Sequence, residues 1–341
     1  MSHEHDPARD PLRHALLNDW QRGFPLVAAP FARIATALGV GEGLVIEAYR
    51  RLHAEGALSR IGGVFGAGAG GAGLLVAVAV PPAQLDAVAA LVSAQPNVNH
   101  NYERDHRWNL WFVVNGRDAG AVARKVDALQ SVLQLPMLRL PMRRAYRIDL
   151  GFDLGRAIAH SPTDTRADAP APLTSADWPL AALIEQGLPL VPRPYDRWAQ
   201  QLRCDGDHVV ETLARWQRDG TLKRFGVIVR HHELGFDANA MTVFDVPDDE
   251  VDRCGAALAA EPAVTLAYRR ERSEGPLRWP YNLYCMVHGR DRDAVRATIA
   301  TLVQRCGLAG HAHEVLFSRR RFKQEGARRF RDLHAEASHA G

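Results

Sequence analysis

Apolar residues recur at helical spacing in two neighbouring segments, 30–38 and 43–54, which are separated by Gly39 and Gly41. The strand-like sequence SRIGGVF (59–65) follows the second segment. A short helix, a turn containing glycine, a second helix and then a strand are the parts of a winged helix-turn-helix. The pattern therefore predicts this domain at the start of the chain.

The next part of the chain alternates between strand-like and helix-like patterns. The predicted strands are 74–80, 98–102, 110–115 and 137–141, and the predicted helices are 82–94 and 119–133. The order strand, helix, strand, strand, helix, strand is the ferredoxin-like arrangement. We therefore expect a ferredoxin-like sheet after the winged helix.

The whole pattern occurs a second time, in the same order and with small gaps. GFPLVAAPFARIATALGV (23–40) aligns with GLPLVPRPYDRWAQQLRC (187–204), and WNLWFVVNGRD (108–118) aligns with YNLYCMVHGRD (281–291). Such repetition indicates that one structural unit has been duplicated. The segment between the copies, HSPTDTRADAPAPLTSAD (160–177), is rich in Pro, Ala, Ser, Thr and Asp, which is typical of an exposed linker.

The predicted fold class is α+β, a tandem repeat in which the two copies pair as an internal pseudo-dimer. The predicted domains are a winged helix at 1–66, a ferredoxin-like domain at 67–158, a linker at 159–177, a second winged helix at 178–230 and a second ferredoxin-like domain at 231–341.

Composition narrows the class of protein. Apolar content of 47% and charged content of 24% are ordinary for a soluble globular chain, and a net charge of +3 does not by itself imply nucleic acid or membrane. The four cysteines never approach a CxxC spacing, which favours a reducing cytoplasm. The longest apolar run, 74–80, is far too short to span a bilayer. We expect a cytoplasmic protein without a membrane or nucleic-acid partner.

The helix-turn-helix raises the alternative of a DNA-binding regulator of the Lrp/AsnC type. A DNA-reading helix presents Arg, Lys, Asn or Gln at its start. Here the second helix starts with Gly41, Glu42 and Gly43 in the first copy, and with Asp205 and Asp207 in the second. Carboxylates at these positions would repel the phosphates that supply most of the affinity. A structural role for this domain is therefore favoured.

The second copy carries a cluster of basic side chains around a predicted strand. Its members are Lys223, Arg224, Arg230, His231 and His232. In the first copy GAG (66–68) stands where the last three stand in the second, so the fold does not require them. The GxGxxG in GAGAGGAG (66–73) is followed by a β-rich run instead of the helix that a dinucleotide site needs.

A second cluster shows the opposite asymmetry. The first copy reads VNHNYERDHRWNLWF and contains His100, whereas the second copy has Leu266 at that position and keeps Tyr268. Each copy therefore retains polar groups that the other has lost, and the two half-sites are expected to form one complete site. Chance loss of surface histidines is the alternative explanation.

The residue types indicate the class of ligand. Arginine presents a planar fork that suits carboxylates, and histidine near neutral pH transfers protons or ligates a metal. Tyr102, Trp108, Trp279 and Tyr281 add flat apolar surface. Together these groups suit a large, flat, polycarboxylated ligand, such as a tetrapyrrole with acetate and propionate arms.

The strings KRFGVIVRHHELGFDANAM, AYRR and WPYNLYCMVHGRD resemble the siroheme decarboxylases, which are Lrp/AsnC-like proteins. The first copy matches more loosely, through RIGG, NHNYER, WNLWFVVNGRD and RIDLGFDL. The resemblance covers nearly the whole chain except the linker. It implies a fused two-subunit form, as in the haem d1 pathway of denitrifiers.

The resemblance implies a carboxy-lyase that removes the C12 and C18 acetate carboxyl groups of siroheme to give 12,18-didecarboxysiroheme. No redox or organic cofactor is expected, because the iron enters with the substrate. Expected partners are siroheme, other haem d1 pathway enzymes and, as an open alternative, a second fused chain. A Lrp/AsnC-type regulator and a non-catalytic tetrapyrrole-binding protein are the alternative functions.

The two clusters and the resemblance together define the expected site. The expected catalytic residues are His231, His100 and His232, and the expected substrate-binding residues are Arg224, Arg230, Lys223, Tyr102, Arg104, Trp108, Tyr268, Trp279 and Tyr281. A histidine would donate the proton that replaces CO2; alternatively His100 or His231 ligates the siroheme iron. No metal site made by the protein alone is expected. Leu266 and segment 66–73 depart from the family pattern, which leaves the number of working sites per chain open.

Overall fold

A computed structural model describes residues 10–66, 68–148, 152–153, 158–159, 172–229, 238–289 and 291–330. In chain order the elements are α1 (Pro11–Asn18), α2 (Pro30–Leu38), α3 (Glu42–Ala54), β1 (Leu58–Phe65), β2 (Ala72–Val78), α4 (Leu85–Ala94), β3 (Val98–Arg104), β4 (Leu110–Gly116), α5 (Ala119–Leu133), β5 (Met137–Ile148), β6 (Phe152–Asp153), β7 (Ile158–Ala159), α6 (Trp178–Gln186), α7 (Pro194–Leu202), α8 (Gly206–Arg218), β8 (Leu222–Val229), β9 (Ala238–Phe244), α9 (Val251–Ala260), β10 (Val264–Arg270), β11 (Leu283–Gly289), α10 (Arg292–Arg305) and β12 (His313–Gln324). The chain divides into two compact units.

The first unit contains the helix-turn-helix of each copy. In the first copy α2 begins with Pro30, whose fixed backbone angle suits a first helical residue, and ends at Gly39, which adopts a left-handed conformation with φ of 67°. Ile34 and Val45 are buried where α2 and α3 meet. These two helices and the strand after them confirm the predicted order. The preceding helices, α1 and α6, were not expected from the pattern.

The strand expected to form a wing has a different partner. β1 pairs antiparallel with β8, so the described strands of the two helix-turn-helix domains form one two-stranded sheet. Gly62 and Gly226 lie opposite each other at its centre. A Cβ at Gly62 would lie 2.7 Å from the Ile184 carbonyl oxygen, and one at Gly226 would lie 2.5 Å from the Trp20 carbonyl oxygen. Each glycine therefore lets the backbone of another segment pack directly on the sheet.

The second unit contains the ferredoxin-like part of each copy. The strand order is β3-β4-β2-β5 in the first copy and β10-β11-β9-β12 in the second, which confirms the predicted arrangement in both. Apolar residues of α4 and α5 pack with one face of the first set of strands, and those of α9 and α10 pack with the equivalent face of the second. Each copy therefore has a helix-covered outer face.

The two sets of strands join into one closed barrel of eight strands. β5 was expected to end at residue 141 but continues to Ile148; its first part pairs with β2 and its last part with β10. β12 is equally long and pairs first with β9 and then with β3. The sequence that follows Pro141 is rich in arginine, so its pattern did not predict that the strand continues. Closure leaves the barrel without edge strands.

None of the helices in the described ranges combines the length and apolar character needed to cross a bilayer.

Candidate active site

The inner face of the barrel carries an apolar cluster to which both copies contribute. Its buried members are Leu75, Ala77, Trp108, Trp111, Leu138, Leu140, Met241, Val243, Trp279, Tyr284 and Leu316. Because such an interior is costly for unpaired polar groups, the polar side chains that face it need a specific role in support or in binding.

One end of the barrel, called here the upper end, is defined by strand direction. All neighbouring strands are antiparallel, so β2, β3, β9 and β10 run one way and the other four run the opposite way. The upper end is formed by the first residues Ala72, Val98, Ala238 and Val264 and the last residues Gly116, Ile148, Gly289 and Gln324.

Two pairings join the copies within the barrel, and they are called here the first seam (β3 with β12) and the second seam (β5 with β10). The opposed pairs of the first seam are His100 with Gln324, Tyr102 with Arg321, and Arg104 with Ser318. Tyr102 also lies opposite Trp111, and His100 lies opposite Val113. Both of these partners pack in the apolar interior, so the side chains of the first-seam pairs face inward.

The second seam has the same register with different chemistry. Its opposed pairs are Leu266 with Ile148, Tyr268 with Ala145, and Arg270 with Met142. The first seam has a polar side chain at every one of these positions, whereas the second keeps only the tyrosine and one arginine. The two seams are therefore built alike and differ in their capacity to bind a polar ligand.

The arginine and tyrosine that both seams share make the same contacts. The Arg104 guanidinium lies 5.6 Å from the centre of the Tyr102 ring, and its Nη1 donates to the Leu316 carbonyl oxygen at 2.9 Å. In the second seam Arg270 lies 5.3 Å from its tyrosine ring and donates to the equivalent carbonyl oxygen, also at 2.9 Å. Because the contact occurs in both copies, it is part of what holds each seam together.

Burial sets the charge state of these groups. It lowers the pKa of Arg104 to about 10, which still leaves the guanidinium charged at neutral pH. Burial also raises the pKa of Tyr102 to about 12, although Arg104 and Arg321 oppose the shift. The pKa of Tyr268 rises to about 12 for the same reason and is opposed in part by Arg329. Each seam therefore places a neutral phenol close to arginine.

His100 lies near the upper end of the first seam. Its ring stacks on that of Tyr102, with centroids 6.1 Å apart and an angle of 15° between the planes. The side chain is only partly buried. The stacking fixes the orientation of the imidazole while part of it remains accessible to a ligand.

The other predicted aromatic residues lie at the core of the interior. Trp108 is 4% exposed and Trp279 is 1% exposed. Trp279 donates from Nε1 to the Tyr284 hydroxyl at 2.7 Å and meets the Tyr281 ring edge-on at 4.8 Å. These contacts give them a clear role in packing, and their contact with substrate stays a prediction.

Sequence reasoning missed a histidine–carboxylate pair beside these aromatic rings. His106 Nδ1 accepts the Trp108 backbone N–H at 3.0 Å, so its proton lies on Nε2, 3.0 Å from Glu314 Oε2. The Tyr281 hydroxyl donates to Glu314 Oε1 at 2.8 Å. Burial lowers the pKa of His106, and Glu314 offsets this only in part. The two residues are far apart in sequence and share no motif, so no sequence signal joined them.

Arg321 was also missed, although the repeat contains a signal for it. LFSRRRFK in the second copy aligns with LPMRRAYR in the first, which puts Ala145 at the position of Arg321. This is the same asymmetry that singled out His100 against Leu266. The signal was hidden because several arginines stand in a row.

Lys223 and Arg224 lie on β8 in the first unit. Lys223 is exposed, whereas Arg224 is buried and donates from Nη1 to the carbonyl oxygens of Gln21, at 2.7 Å, and Val227, at 3.2 Å. The first copy has Arg60 at the aligned position. An arginine retained in both copies and bonded to backbone is part of the fold, and a contact with substrate stays a prediction. Arg230, His231 and His232 lie outside the described residues.

One group of potential metal ligands occurs within the part of the chain that the structure describes. Ligand atoms of Glu250, Cys254 and His311 all lie within 4.8 Å of one another. Arg253 already pairs with Glu250 at 2.8 Å, and burial raises the pKa of the Cys254 thiol. Both effects oppose binding of a cation, so this cluster does not alter the assignment of the site to the barrel.

Comparisons with known proteins agree with this architecture. The family model of the siroheme decarboxylase NirDL-like HTH domain matches residues 13–58 and 180–222, and the model of the AsnC-like ligand binding domain matches 69–147 and 233–323. The chain is 40% identical over 318 residues to the siroheme decarboxylase NirDL subunit of Paracoccus denitrificans, covering 93% of this chain and 97% of that one.

One further similar protein matches about half of this chain, and another matches nearly all of it. The siroheme decarboxylase NirL subunit of Stutzerimonas stutzeri is 46% identical over 149 residues, which is 44% of this chain and 86% of that subunit. The crystal structure of the siroheme decarboxylase NirDL in co-complex with an iron-uroporphyrin III analogue has a TM-score of 0.64 at 26% identity. It covers 96% of this chain and 98% of that one.

Proposed function

The chain belongs to the siroheme decarboxylase NirDL family, and we propose that it is a carboxy-lyase acting on siroheme. The reaction removes the C12 and C18 acetate carboxyl groups and leaves methyl groups, giving 12,18-didecarboxysiroheme for haem d1 biosynthesis. The iron enters with the substrate, and the proposal includes no other cofactor.

The observation that carries the proposal is the first seam. It places the partly exposed His100 and the stacked Tyr102 on the inner face of the barrel, across from Arg321. A general acid, a flat ring and a carboxylate-binding fork are what a polycarboxylated tetrapyrrole requires. The bound analogue in the related NirDL structure is a tetrapyrrole of this class.

Each group has a defined role in the reaction. Breaking the bond to CO2 leaves an electron pair that the macrocycle accepts, and the new methyl group takes up one proton. Arginine holds the substrate carboxylates, and the apolar interior favours dispersal of the carboxylate charge in the transition state. His100 supplies the proton as general acid, an effect worth roughly 10²–10⁴-fold in rate.

His231 remains the proposed catalytic partner of His100, with His232 next to it. Strand β9 begins at Ala238, which belongs to the upper end of the barrel. The segment that contains both histidines directly precedes this residue in sequence. If His100 or His231 ligated the siroheme iron, that residue would position the substrate instead of donating the proton.

We further propose that the two copies form an internal pseudo-dimer. Both seams pair a strand of one copy with a strand of the other in the same register, as two separate subunits would do. The separate NirL subunit that matches about half of this chain supports this assignment. Siroheme is the proposed partner, and association with other haem d1 pathway enzymes or a second fused chain would be additional.

Anaerobic incubation of the full chain with siroheme tests the reaction. Mass spectrometry of the tetrapyrrole should show the loss of two CO2 molecules. An unchanged mass together with a shifted siroheme absorption spectrum would instead identify a non-catalytic binding protein. Salt-dependent binding of duplex DNA at physiological ionic strength, without conversion of siroheme, would identify a regulator.

Substitution of the proposed acids tests their assignment. His100→Ala and His231→Ala should each lower the turnover rate by roughly 10²-fold or more, which is the effect expected on losing a general acid. Leu266→Ala, at the position aligned with His100, is the matched control and should retain wild-type turnover. Normal turnover in either histidine variant would remove that residue from the mechanism.

A further inference from the structure

Comparison of the two seams shows which side chains the barrel requires and which it does not. Both keep a tyrosine and an arginine bonded to the neighbouring strand, so these groups support the fold. Arg321 differs, because the second seam has Ala145 at the equivalent position and still pairs in the same register. The barrel therefore forms with alanine at this position, so strand pairing does not require the guanidinium of Arg321.

The position of Arg321 directs it to the inner face. It lies opposite Tyr102, and its Nη1 donates to the Gln324 side-chain oxygen at 3.2 Å. Gln324 in turn lies opposite His100 at the upper end. Arg321 is therefore held on the same face as the proposed acid and one step further into the barrel.

A second arginine reaches the upper end from the segment after β12. The side chain of Arg329 passes directly over Gly71, where a Cβ would lie 2.8 Å from its Cδ and 2.9 Å from its Cβ. Gly71 immediately precedes β2, and its φ of 70° also requires glycine. After Arg270, Arg329 also opposes the rise that burial causes in the pKa of Tyr268. One glycine of the GAGAGGAG run thus has a defined role, which is to admit this side chain.

The neighbouring arginines have a different use. Arg319 pairs with Asp105 and Arg320 with Glu103 and Asp86, while Arg328 pairs with Glu325 at 3.3 Å. The Arg320 guanidinium also lies 5.0 Å from the Phe322 ring, and Phe322 packs with the helix-covered outer cluster. These three arginines therefore pair with carboxylates, and Arg320 does so on the helix-covered face, where its partner Glu103 is buried.

We propose that Arg321 and Arg329 bind two different carboxylate arms of the substrate at the upper end of the barrel. Arg321 acts beside Tyr102 and His100, and Arg329 acts over Gly71, at the start of β2. Each supplies a charged fork for bidentate hydrogen bonds. The C-terminal part of the second copy thereby provides both groups, which makes the site asymmetric. The inference rests on the proposed function.

Titration of the full chain with iron-uroporphyrin III measures this without turnover; a related structure is a co-complex with an iron-uroporphyrin III analogue. Arg321→Ala and Arg329→Ala should each raise Kd by about 10- to 100-fold, the effect of losing one charge-assisted interaction. The matched controls Arg319→Ala and Arg328→Ala should stay within about twofold of wild type, because neither guanidinium group is assigned to the ligand and Asp105 keeps its pairing with Arg292. Arg321→Lys should give an intermediate Kd, because it keeps the charge but not the fork.

Different outcomes would overturn the assignment of the two arginines and the proposed function. If wild type converts siroheme while Arg321→Ala and Arg329→Ala bind the analogue like wild type, the carboxylate assignment is wrong. If all four alanine variants weaken binding equally, only general positive charge is involved and the assignment is also wrong. Failure of wild type to bind or convert any tetrapyrrole would instead overturn the proposed function.

Discussion

At the scale of single residues, duplication within the chain provides its own control. Arg104 and Arg270 have equivalent partners in the two seams. In contrast, the residue equivalent to His100 in the second seam is Leu266, and the residue equivalent to Arg321 is Ala145. A residue retained in both copies with the same contact supports the fold. A residue retained in one copy only is not needed for strand pairing, which is why the polar seam is the better candidate site.

The shared arginines should affect stability in both copies. Arg104→Leu and Arg270→Leu each leave a buried carbonyl oxygen without its donor, so we expect each to lower the free energy of unfolding by about 1–3 kcal/mol. Urea denaturation measures this loss. Arg253→Ala, which removes an ion pair exposed on both sides, should cost about 1 kcal/mol or less. Undiminished stability in the Arg270 variant would contradict the supporting role.

His106 should make stability dependent on pH. Burial lowers its pKa in the folded state below the unfolded value of about 6.5, so the unfolded chain binds this proton more readily. The contribution of neutral His106 is fully present above that value and is lost as pH falls from about 6.5 through the folded pKa. We expect His106→Gln to flatten this part of the profile of unfolding free energy against pH, whereas the exposed His208→Gln should not. A profile unchanged by His106→Gln would refute the prediction.

At the scale of elements, strand and helix order followed from periodicity because each element has one face toward a core. The C-terminal limit of β5 could not be predicted from periodicity, because the residues after Pro141 are basic and resemble the end of a strand. Their partners are in the other copy, and a pattern read along the chain contains no information on such pairing. The pairing of the wing strand could not be predicted for the same reason, because β1 pairs with β8 of the other copy instead of a local strand.

The glycines at the centre of the β1–β8 pair allow a prediction about the stability of this element. Gly226→Ala places a Cβ 2.5 Å from backbone carbonyl oxygens that cannot move freely, so we expect a loss of about 1–3 kcal/mol in unfolding free energy. Gly62→Ala, at the opposite position, should behave similarly. Gly43→Ala is the control: it lies in α3 with nothing within 4 Å of the added Cβ, and should stabilise by up to about 1 kcal/mol. Thermal denaturation of the three variants would expose any departure from this order.

At the scale of the whole molecule, the copies are joined by closure of the barrel and by the pairing of β1 with β8. Each copy alone would expose unpaired strand edges at both seams, which favours association with another chain. Chains cut within the linker, 1–165 and 166–341, should therefore form a 1:1 complex when expressed together and should self-associate or aggregate when expressed alone. Size-exclusion chromatography with mass detection distinguishes these states. A stable, monomeric single half would show that closure is not needed.

The sequence by itself determined the duplication, the order of elements, the family and the asymmetry that singled out His100 and the basic segment of the second copy. These follow from local patterns and from comparison of the chain with itself. Only the tertiary structure decided that both ferredoxin-like parts close into one barrel, that Arg224 is bonded to backbone carbonyl oxygens, and that Arg321 lies opposite Tyr102. The physical reason is that strand pairing and burial join residues distant in sequence, which no local pattern encodes.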